Sequence, residues 1–366
     1  MEVDNGNHLI LSANKNFLNL CETLGSLKTL NYYEPKFNFF DLKTKKNWSL
    51  NLNNQIFPFW IFNRHQRIPN TNLIDYFSVI KLMMCSKKDT VETIINKKSN
   101  VFNFFWEPLT LGVLNTNCKN ASAFLLKNVL KETFFKGYKF SGIYQPIQSW
   151  GKTLINPAVT FLKKKKIQIN YSSLLQKFFI EDNKVKKLIF KDKTIDILDK
   201  DLVVLALPPS GVKKIIPSLN LPEEHNTIIN IHFKIKLKNN NKPKIIGLVN
   251  SITQWIFVKN DYISITLSAA NSYSKVDKYQ LISKIWNEVV LCFGLKSKKL
   301  PIFRIVMEKK ATYNQSPENN NLVQKISGLP DNLKLIGDWT EFNFPCTIES
   351  SITSAKKLSE EINENS

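Results

Sequence analysis

A chain of 366 residues that is 43% hydrophobic can build one large domain or two ordinary ones, each with a sizeable core. Its formal charge of +21 invites a nucleic-acid reading, but only three residues are arginine (Arg64, Arg67, Arg304) and lysine supplies the other 48 of 51 basic side chains. The bidentate fork that reads bases and phosphates is therefore nearly missing, which argues against a nucleic-acid partner, while a lysine-rich surface keeps an attraction for anionic membranes of about 1 kcal/mol per residue close to the lipid.

In chain order, residues 1–12 read as an extended arm containing Asp4-Asn5-Gly6-Asn7-His8. A helix follows with Phe17, Leu20, Cys21 and Leu24 on one face and Gly25 as its stop. Residues 30–60 are aromatic and extended, and Trp48 to Leu52 alternates as a strand does. Helical patterns dominate from Leu73 to about Phe135, including Asn120 to Phe134, and another helix is predicted over 152–165. Strands are predicted at Ile167–Tyr171, Val185–Phe190 and Leu202–Leu207, the last continuous enough to be buried on both faces of an α/β sheet. A strand-rich stretch from Ile228 to Leu267, a helix near Gln280–Cys292 and a strand at Ile302–Met307 come next, with polar loops at 239–241 and 314–321.

The last predicted strand, Leu333 to Ile336, ends in Gly337-Asp338. Behind Pro345 a helix opens at Thr347-Ile348, with Ile348, Ile352, Ala355, Leu358 and Ile362 as its buried stripe. Free N–H groups and the positive dipole end at such a junction suit an anion or an electron-rich ring.

Other chemistries find no support. The five cysteines never form Cys-x-x-Cys and the four histidines are scattered, so no metal site is expected and buried free thiols are. The 11 glycines contain no Gly-x-Gly, and Gly137 and Gly142 are followed by Ile143-Tyr144 where a P-loop needs Lys-Ser/Thr. No run reaches the roughly 18 apolar residues of a membrane span. The richest, Val101–Leu114, is broken by Asn103, Glu107 and Pro108. Met1 to Asn5 has no basic or apolar signal region, so a cytoplasmic chain is expected, with peripheral contact on the inner membrane face as the one membrane role left open.

Several of these segments together resemble one family, the hydroxysqualene dehydroxylases of the amine-oxidase and phytoene-desaturase group of flavoproteins. The resemblance rests on Asp4 to His8, Phe105-Trp106-Glu107-Pro108-Leu109, Leu114-Asn115-Thr116, Ala121-Ser122, Val203 to Pro209 and Asn230-Ile231-His232-Phe233. It extends to Glu308 to Thr312 and Gly337 to Ser354. The Ala-Leu-Pro-Pro strand and Gly-Asp tail mark the flavin fold in general; Trp-Glu-Pro-Leu with Leu-Asn-Thr, and Gly-Asp-Trp-Thr with Pro-Cys-Thr-Ile-Glu, narrow it.

The resemblance implies an α/β (mixed α+β) amine-oxidase-like FAD-binding fold with an incomplete Rossmann sheet and an interleaved substrate domain of helices and a mixed sheet. The implied FAD-binding domain is 1–27, 140–212 and 325–366, and the substrate domain is 28–139 and 213–324. It implies FAD held by Asn5, Gly6, Gly337, Asp338, Trp339, Pro345, Cys346, Thr347 and Ile348, with Glu107 or His8 as catalytic acid and a long isoprenoid as substrate. The residues alone also allow an Asx turn at Asp338, helix capping by Glu107 and a structural role for His8.

Two departures stand out. The family's Gly-x-Gly-x-x-Gly unit, which cradles the FAD pyrophosphate, is absent, and the chain opens at the strand that should follow it. Ser350 and Ala355 stand where the resemblance leads one to expect glycine. The implied activity is reductive dehydroxylation of hydroxysqualene to squalene. A carotenoid-type polyene desaturase is a second expectation, and a truncated or split flavoprotein, its dinucleotide unit on a separate polypeptide, a third.

Overall fold

The computed structural model describes residues 3–52, 59–237 and 244–364; the loop expected at 239–241 lies outside them. Among the described residues the strands are β1 (Ile10–Leu11), β2 (Leu30–Tyr33), β3 (Lys36–Asp41), β4 (Lys46–Asn51), β5 (Ile143–Pro146), β6 (Leu175–Glu181), β7 (Lys184–Phe190) and β8 (Thr194–Asp196). They continue with β9 (Val203–Leu205), β10 (His225–Phe233), β11 (Ile245–Val249), β12 (Trp255–Val258), β13 (Ile263–Leu267), β14 (Phe303–Tyr313) and β15 (Leu333–Leu335).

The largest sheet runs β14-β10-β13-β12-β11-β3-β4 and is antiparallel except where β11 lies parallel to β3. Its centre follows from strict alternation. Ile229, Ile231 and Phe233 of β10 and Ile263, Ile265 and Leu267 of β13 point to one face and are 1% exposed or less. The Lys278–Phe293 helix covers that face with Ile282, Ile285, Trp286 and Val289. Asp277 caps this helix by accepting from Gln280 N (2.8 Å), and Gly294 ends it in the left-handed conformation at φ 61°. The other face of the same strands carries Asn230, His232, Ser264 and Thr266, paired across the ladder and turned toward the N-terminal arm.

A second core is helical, with Leu82, Trp106, Leu114, Leu125 and Leu126 buried together. Two helices here and beyond open with a π turn, at Phe102–Trp106 before Pro108 and at Gly151–Ile155 before Pro157. Proline has no N–H for the carbonyl four residues back, and its ring crowds that carbonyl, so the helix widens at this turn.

The remaining sheets are the antiparallel trios β1-β5-β2 and β6-β7-β8 and the parallel pair β9–β15, with Leu333, Lys334 and Leu335 facing Val203, Val204 and Leu205. This pair is the partial Rossmann-like element of a mixed α/β fold, and it departs from expectation. The strand spans only three residues and Val204 is 38% exposed, so it is not buried on both faces. Residues 167–171 form no strand: Ile167 and Tyr171 are more than half exposed, and the real strand begins later, at Leu175. Residues 317–324 are helix rather than loop, because Ser316 accepts from Asn319 N and Pro317 occupies the first turn, a start signal that the run of asparagines obscures. The thiols are free, with Cys21, Cys85 and Cys118 buried.

Candidate functional site

The junction after β15 is built around Gly337, whose φ of 153° and approach to the Trp339 indole leave no room for a side chain: a Cβ would lie 2.9 Å from Trp339 Nε1. Gly337 N donates to Ser354 Oγ (3.0 Å), tying the loop to the C-terminal helix. Trp339 is buried and its indole N–H donates to Leu207 O (2.8 Å), so this residue pins the Gly-Asp loop to the Ala-Leu-Pro-Pro segment.

Asp338 is the chemically distinctive group. Burial pushes its pKa up to about 6, against backbone N–H groups of Trp339 and Asp338 and the Cys346 thiol that favour the charged form. Burial also holds the Cys346 thiol well above its ordinary range, so it stays protonated and donates to the Asp338 carboxyl. An ionised carboxyl can accept about four hydrogen bonds, so beside these three protein donors a hydroxyl-bearing ligand could add another. Beside it lies an open cavity of about 750 Å³ lined by Gly337, Asp338, Leu207, Ile352 and Ala355.

The C-terminal helix spans Ile348–Glu364, with Thr347 Oγ1 accepting from Ser350 N (3.2 Å) in the capping position and Pro345 buried just before it. Its buried residues are Ser350, Ser354 and Leu358, so of the expected apolar stripe only Leu358 is buried. Ala355 is exposed in the wall of the cavity and Ile362 is 40% exposed, while Ile348 and Ile352 pack toward Phe17 and Trp150. Ser350 is accommodated because its hydroxyl donates to Pro345 O (2.7 Å).

The arm bridges a helix start and the large sheet. The Asp4 carboxylate accepts from Trp150 N (3.1 Å) and Gly151 N (3.4 Å) at a helix start. Asn5 O accepts from Asn230 Nδ2 (3.0 Å), and Asn7 Nδ2 donates to Ser264 Oγ (2.6 Å) and Thr266 Oγ1 (2.9 Å). The Asn5 side chain is exposed, and a Cβ on Gly6 would meet His8 Nε2 at 3.3 Å. His8 keeps an open face, yet the protein crowded around it lowers its pKa below the ordinary imidazole value, with Asp4 pulling the other way. His8 O accepts from Gln145 Nε2 (2.7 Å), and Gln145 Oε1 accepts from Lys259 Nζ (3.2 Å).

Glu107 lies inside a helix that is continuous from the Phe102–Trp106 π turn to Leu114, so it is not the helix-start cap expected of it, and its side chain is exposed. Its carboxyl pKa is raised by the surrounding protein and then by Glu92. The Leu-Asn-Thr segment nearby is a joint. Asn115, in the left-handed conformation, accepts from Ala269 N (2.6 Å) and donates to Thr312 Oγ1 (3.0 Å), and Thr116 Oγ1 accepts from Gln315 N (3.1 Å). Gln315 Oε1 in turn accepts from Cys346 N (2.8 Å), so the helical core is wired to the Pro-Cys-Thr loop.

Three participants carry little sequence signal: Gln145, Lys259 and Gln315. Each acts through a partner more than 30 residues away. His232 lay inside a recognised motif, but its isolation did not show. Its Nδ1 meets Ser264 Oγ (2.8 Å) while the buried Nε2 has no hydrogen-bond partner, and burial lowers its pKa to about 4.

The mixed α/β fold, with a parallel strand pair leading through a Gly-Asp loop to a helix start beside a large mixed sheet, matches that of amine-oxidase-like flavoprotein structures. Solved structures agree: a putrescine oxidase bound to putrescine superposes with a TM-score of 0.70 at 10% identity, covering 99% of this chain and 88% of that one. Cyclohexylamine oxidase from Brevibacterium oxydans gives 0.69 at 9% identity, with coverages of 99% and 88%. At these identities the likeness is one of fold.

No family model matches the chain. Individual proteins do. The hydroxysqualene dehydroxylase of Zymomonas mobilis is 29% identical over 359 residues, 97% of this chain and 86% of that protein. Those of Sinorhizobium fredii and Rhodopseudomonas palustris are each 29% identical, across 98% of this chain and 86% of theirs. The chain is homologous to the hydroxysqualene dehydroxylases along nearly its whole length, and by fold and descent it is an oxidoreductase of the flavoenzyme type.

Proposed function

We propose that the protein is an FAD-dependent oxidoreductase that removes the hydroxyl of hydroxysqualene reductively to give squalene. The observation that carries this reading is the near full-length homology to three hydroxysqualene dehydroxylases. The Asp338 carboxyl, its pKa raised by burial and bordering the cavity, supports a hydroxyl-bearing cofactor there. When bound in its reduced form, the flavin would supply the hydride that replaces the hydroxyl, which leaves as water, and would itself become oxidised.

The chain's own residues would do the rest. Gly337 lets backbone approach the ribityl chain, and Asp338 accepts a hydroxyl hydrogen bond from it. Free N–H groups at Thr347 and Ile348 stabilise negative charge on the pyrimidine edge. Pro345 and Cys346 shape that loop and Trp339 anchors it. Asn5, Gly6 and His8 flank the ring. Loss of hydroxide needs a proton donor. The raised pKa of Glu107 suits it to that role. The lowered pKa of His8 makes it a neutral hydrogen-bond partner at pH 7 rather than an acid. Segments 1–27, 140–212 and 325–366 would serve the cofactor, and 28–139 with 213–324 the substrate.

The pyrophosphate half of FAD finds no glycine cradle in this sequence. The open cavity beside Gly337 therefore favours a dinucleotide-binding unit supplied by other residues, on a separate polypeptide in the split reading. Two measurements test the proposal. Cells that make the chain together with a unit holding the FAD pyrophosphate, supplied with hydroxysqualene, should accumulate squalene, while phytoene should be left unchanged; conversion of phytoene alone would sink the reading in favour of a polyene desaturase. The chain purified alone should show little flavin absorbance at about 450 nm, the band of the cofactor itself.

A further inference from the structure

Residues 73–84 form a continuous helical stretch, a 3-10 turn at Leu73–Phe77 leading directly into an α-helix at Ser78–Met83. One side of it is anchored. Leu82 is fully buried, Tyr76 and Val79 pack on the helical core, and Ser78 Oγ accepts from the Trp106 indole N–H (3.1 Å). The opposite side is apolar and bare: Ile74 is 79% exposed, Phe77 59%, Ile80 53% and Met84 81%, with Leu73 at 38%. Spacings of three and four residues place these side chains on one stripe, which a water-facing helix would fill with polar groups.

The charge beside the stripe is one-sided. Between residues 61 and 89 the chain carries Arg64, Arg67, Lys81, Lys87 and Lys88 against two acidic residues, Asp75 and Asp89, whose carboxylates accept from Asn72 N (2.7 Å) and Ser86 N (2.6 Å). Arg64, Lys81, Lys87 and Lys88 are exposed. Large apolar residues rimmed by lysine are the composition of a helix that lies in the headgroup plane, where its stripe reaches the acyl chains and its cations meet lipid phosphate. No helix among the described residues is long and apolar enough to cross a membrane, so the contact is one of surface seating.

We propose that the outward face of residues 73–84 is a membrane-docking surface that seats on an anionic lipid bilayer, with Ile74, Phe77, Ile80 and Met84 inserted. This deepens the isoprenoid reading, since a seated helical half would face the phase in which a long hydrocarbon dissolves. The docking itself requires neither cofactor nor turnover, so its test is separate from that of the activity.

The full chain is floated with vesicles of phosphatidylcholine containing phosphatidylglycerol and with vesicles of phosphatidylcholine alone. Binding to the anionic vesicles should weaken at least tenfold in Phe77→Ser/Met84→Ser. It should also weaken severalfold in Lys81→Glu/Lys88→Glu, with the salt sensitivity of the wild type lost. Circular dichroism of both variants should match the wild type, because the changed side chains are exposed. Hydrogen exchange of 73–84 should slow on adding vesicles, a readout that a folding defect would not mimic. Wild-type protein that does not float, or a Phe77→Ser/Met84→Ser variant that floats equally, overturns the proposal. So does a stripe that instead holds two copies together, seen as a dimer that dissociates in the same variant without vesicle binding.

Discussion

The seven-stranded sheet and the β9–β15 pair are built on opposite terms. In the large sheet, alternation sends six aliphatic and aromatic residues under a 16-residue helix, and the polar residues between them satisfy one another across strands. In the small pair, three-residue strands carry a valine that is 38% exposed and lead to a carboxyl whose pKa burial raises to about 6. The first is a core that holds itself together. The second is a platform that buries little apolar surface of its own, and such regions open at lower free energy than the body they sit on.

That contrast predicts unequal responses to the same small change. Ile265, fully buried at the sheet centre, should cost about 2–5 kcal/mol when truncated to alanine, the range for deep aliphatic sites. Val204→Ala, at a position 38% exposed, should cost below about 1 kcal/mol. Urea unfolding at constant m-value measures both. Equal costs would remove the distinction between core and platform.

The two regions should also respond to acid with opposite signs. His232, in the polar face of the large sheet, has a pKa lowered to about 4 by burial. The unfolded chain binds the proton more readily, so the stabilisation from a neutral His232 is complete above about pH 6.5 and lost as pH falls toward 4, on the order of 3 kcal/mol. Stability profiles of wild type and His232→Gln should diverge in that window. Asp338 is raised to about 6, also by burial. Here the folded chain is the better proton binder, so the contribution is complete below about pH 4 and lost as pH rises through 6, on the order of 1–3 kcal/mol. Asp338→Asn should therefore make the flavin-free protein more stable at pH 7–8 while weakening FAD binding at least tenfold, as isothermal titration would show. A variant that gains stability and keeps its affinity would mean that Asp338 is no ligand to the ribityl chain.

How legible each region was in the sequence follows from the same contrast. The large sheet could be read from Asn230-Ile231-His232-Phe233 because period-two alternation is written locally. The Gly337–Asp338 junction was legible as a strand running into a helix start. The face of the C-terminal helix was not, because Ser350 and Ser354 are buried by hydrogen bonds to Pro345 O and toward Gly337 N, and hydrophobicity carries no trace of either. The helix at Pro317 was hidden by asparagines although its Ser-Pro start was in plain view. The links Gln145–Lys259 and Gln315–Cys346 join residues brought together only by the fold. The π turns before Pro108 and Pro157 needed the observed backbone, since proline near a helix start ordinarily fits without distortion.

The most local effect tests whether the platform is joined to the arm or merely adjacent to it. Glu349, in the first turn of the C-terminal helix, turns its carboxylate outward to the start of the Lys15–Thr23 helix, accepting from Asn16 N (3.0 Å) and Phe17 N (2.9 Å). That helix has no cap of its own: the Asn14 side chain is spent on Leu11 N (2.6 Å). The charge on Glu349 thus serves two helix N-termini at once, favourable at each because both present unpaired N–H groups and a positive dipole end. Glu349→Ala should cost about 1–2 kcal/mol, the scale of a lost N-cap. The loss should appear as faster hydrogen exchange at residues 16–20 with no change in β10 or β13. Phe17 and Trp150 pack edge to face beneath the same helix (5.7 Å between ring centroids), and Trp150 N holds Asp4. Fraying should therefore reach the arm that carries Asn5 and His8. If exchange at 16–20 is unchanged, or if the large sheet loosens with it, the cofactor side and the sheet are one cooperative unit and the contrast between them fails.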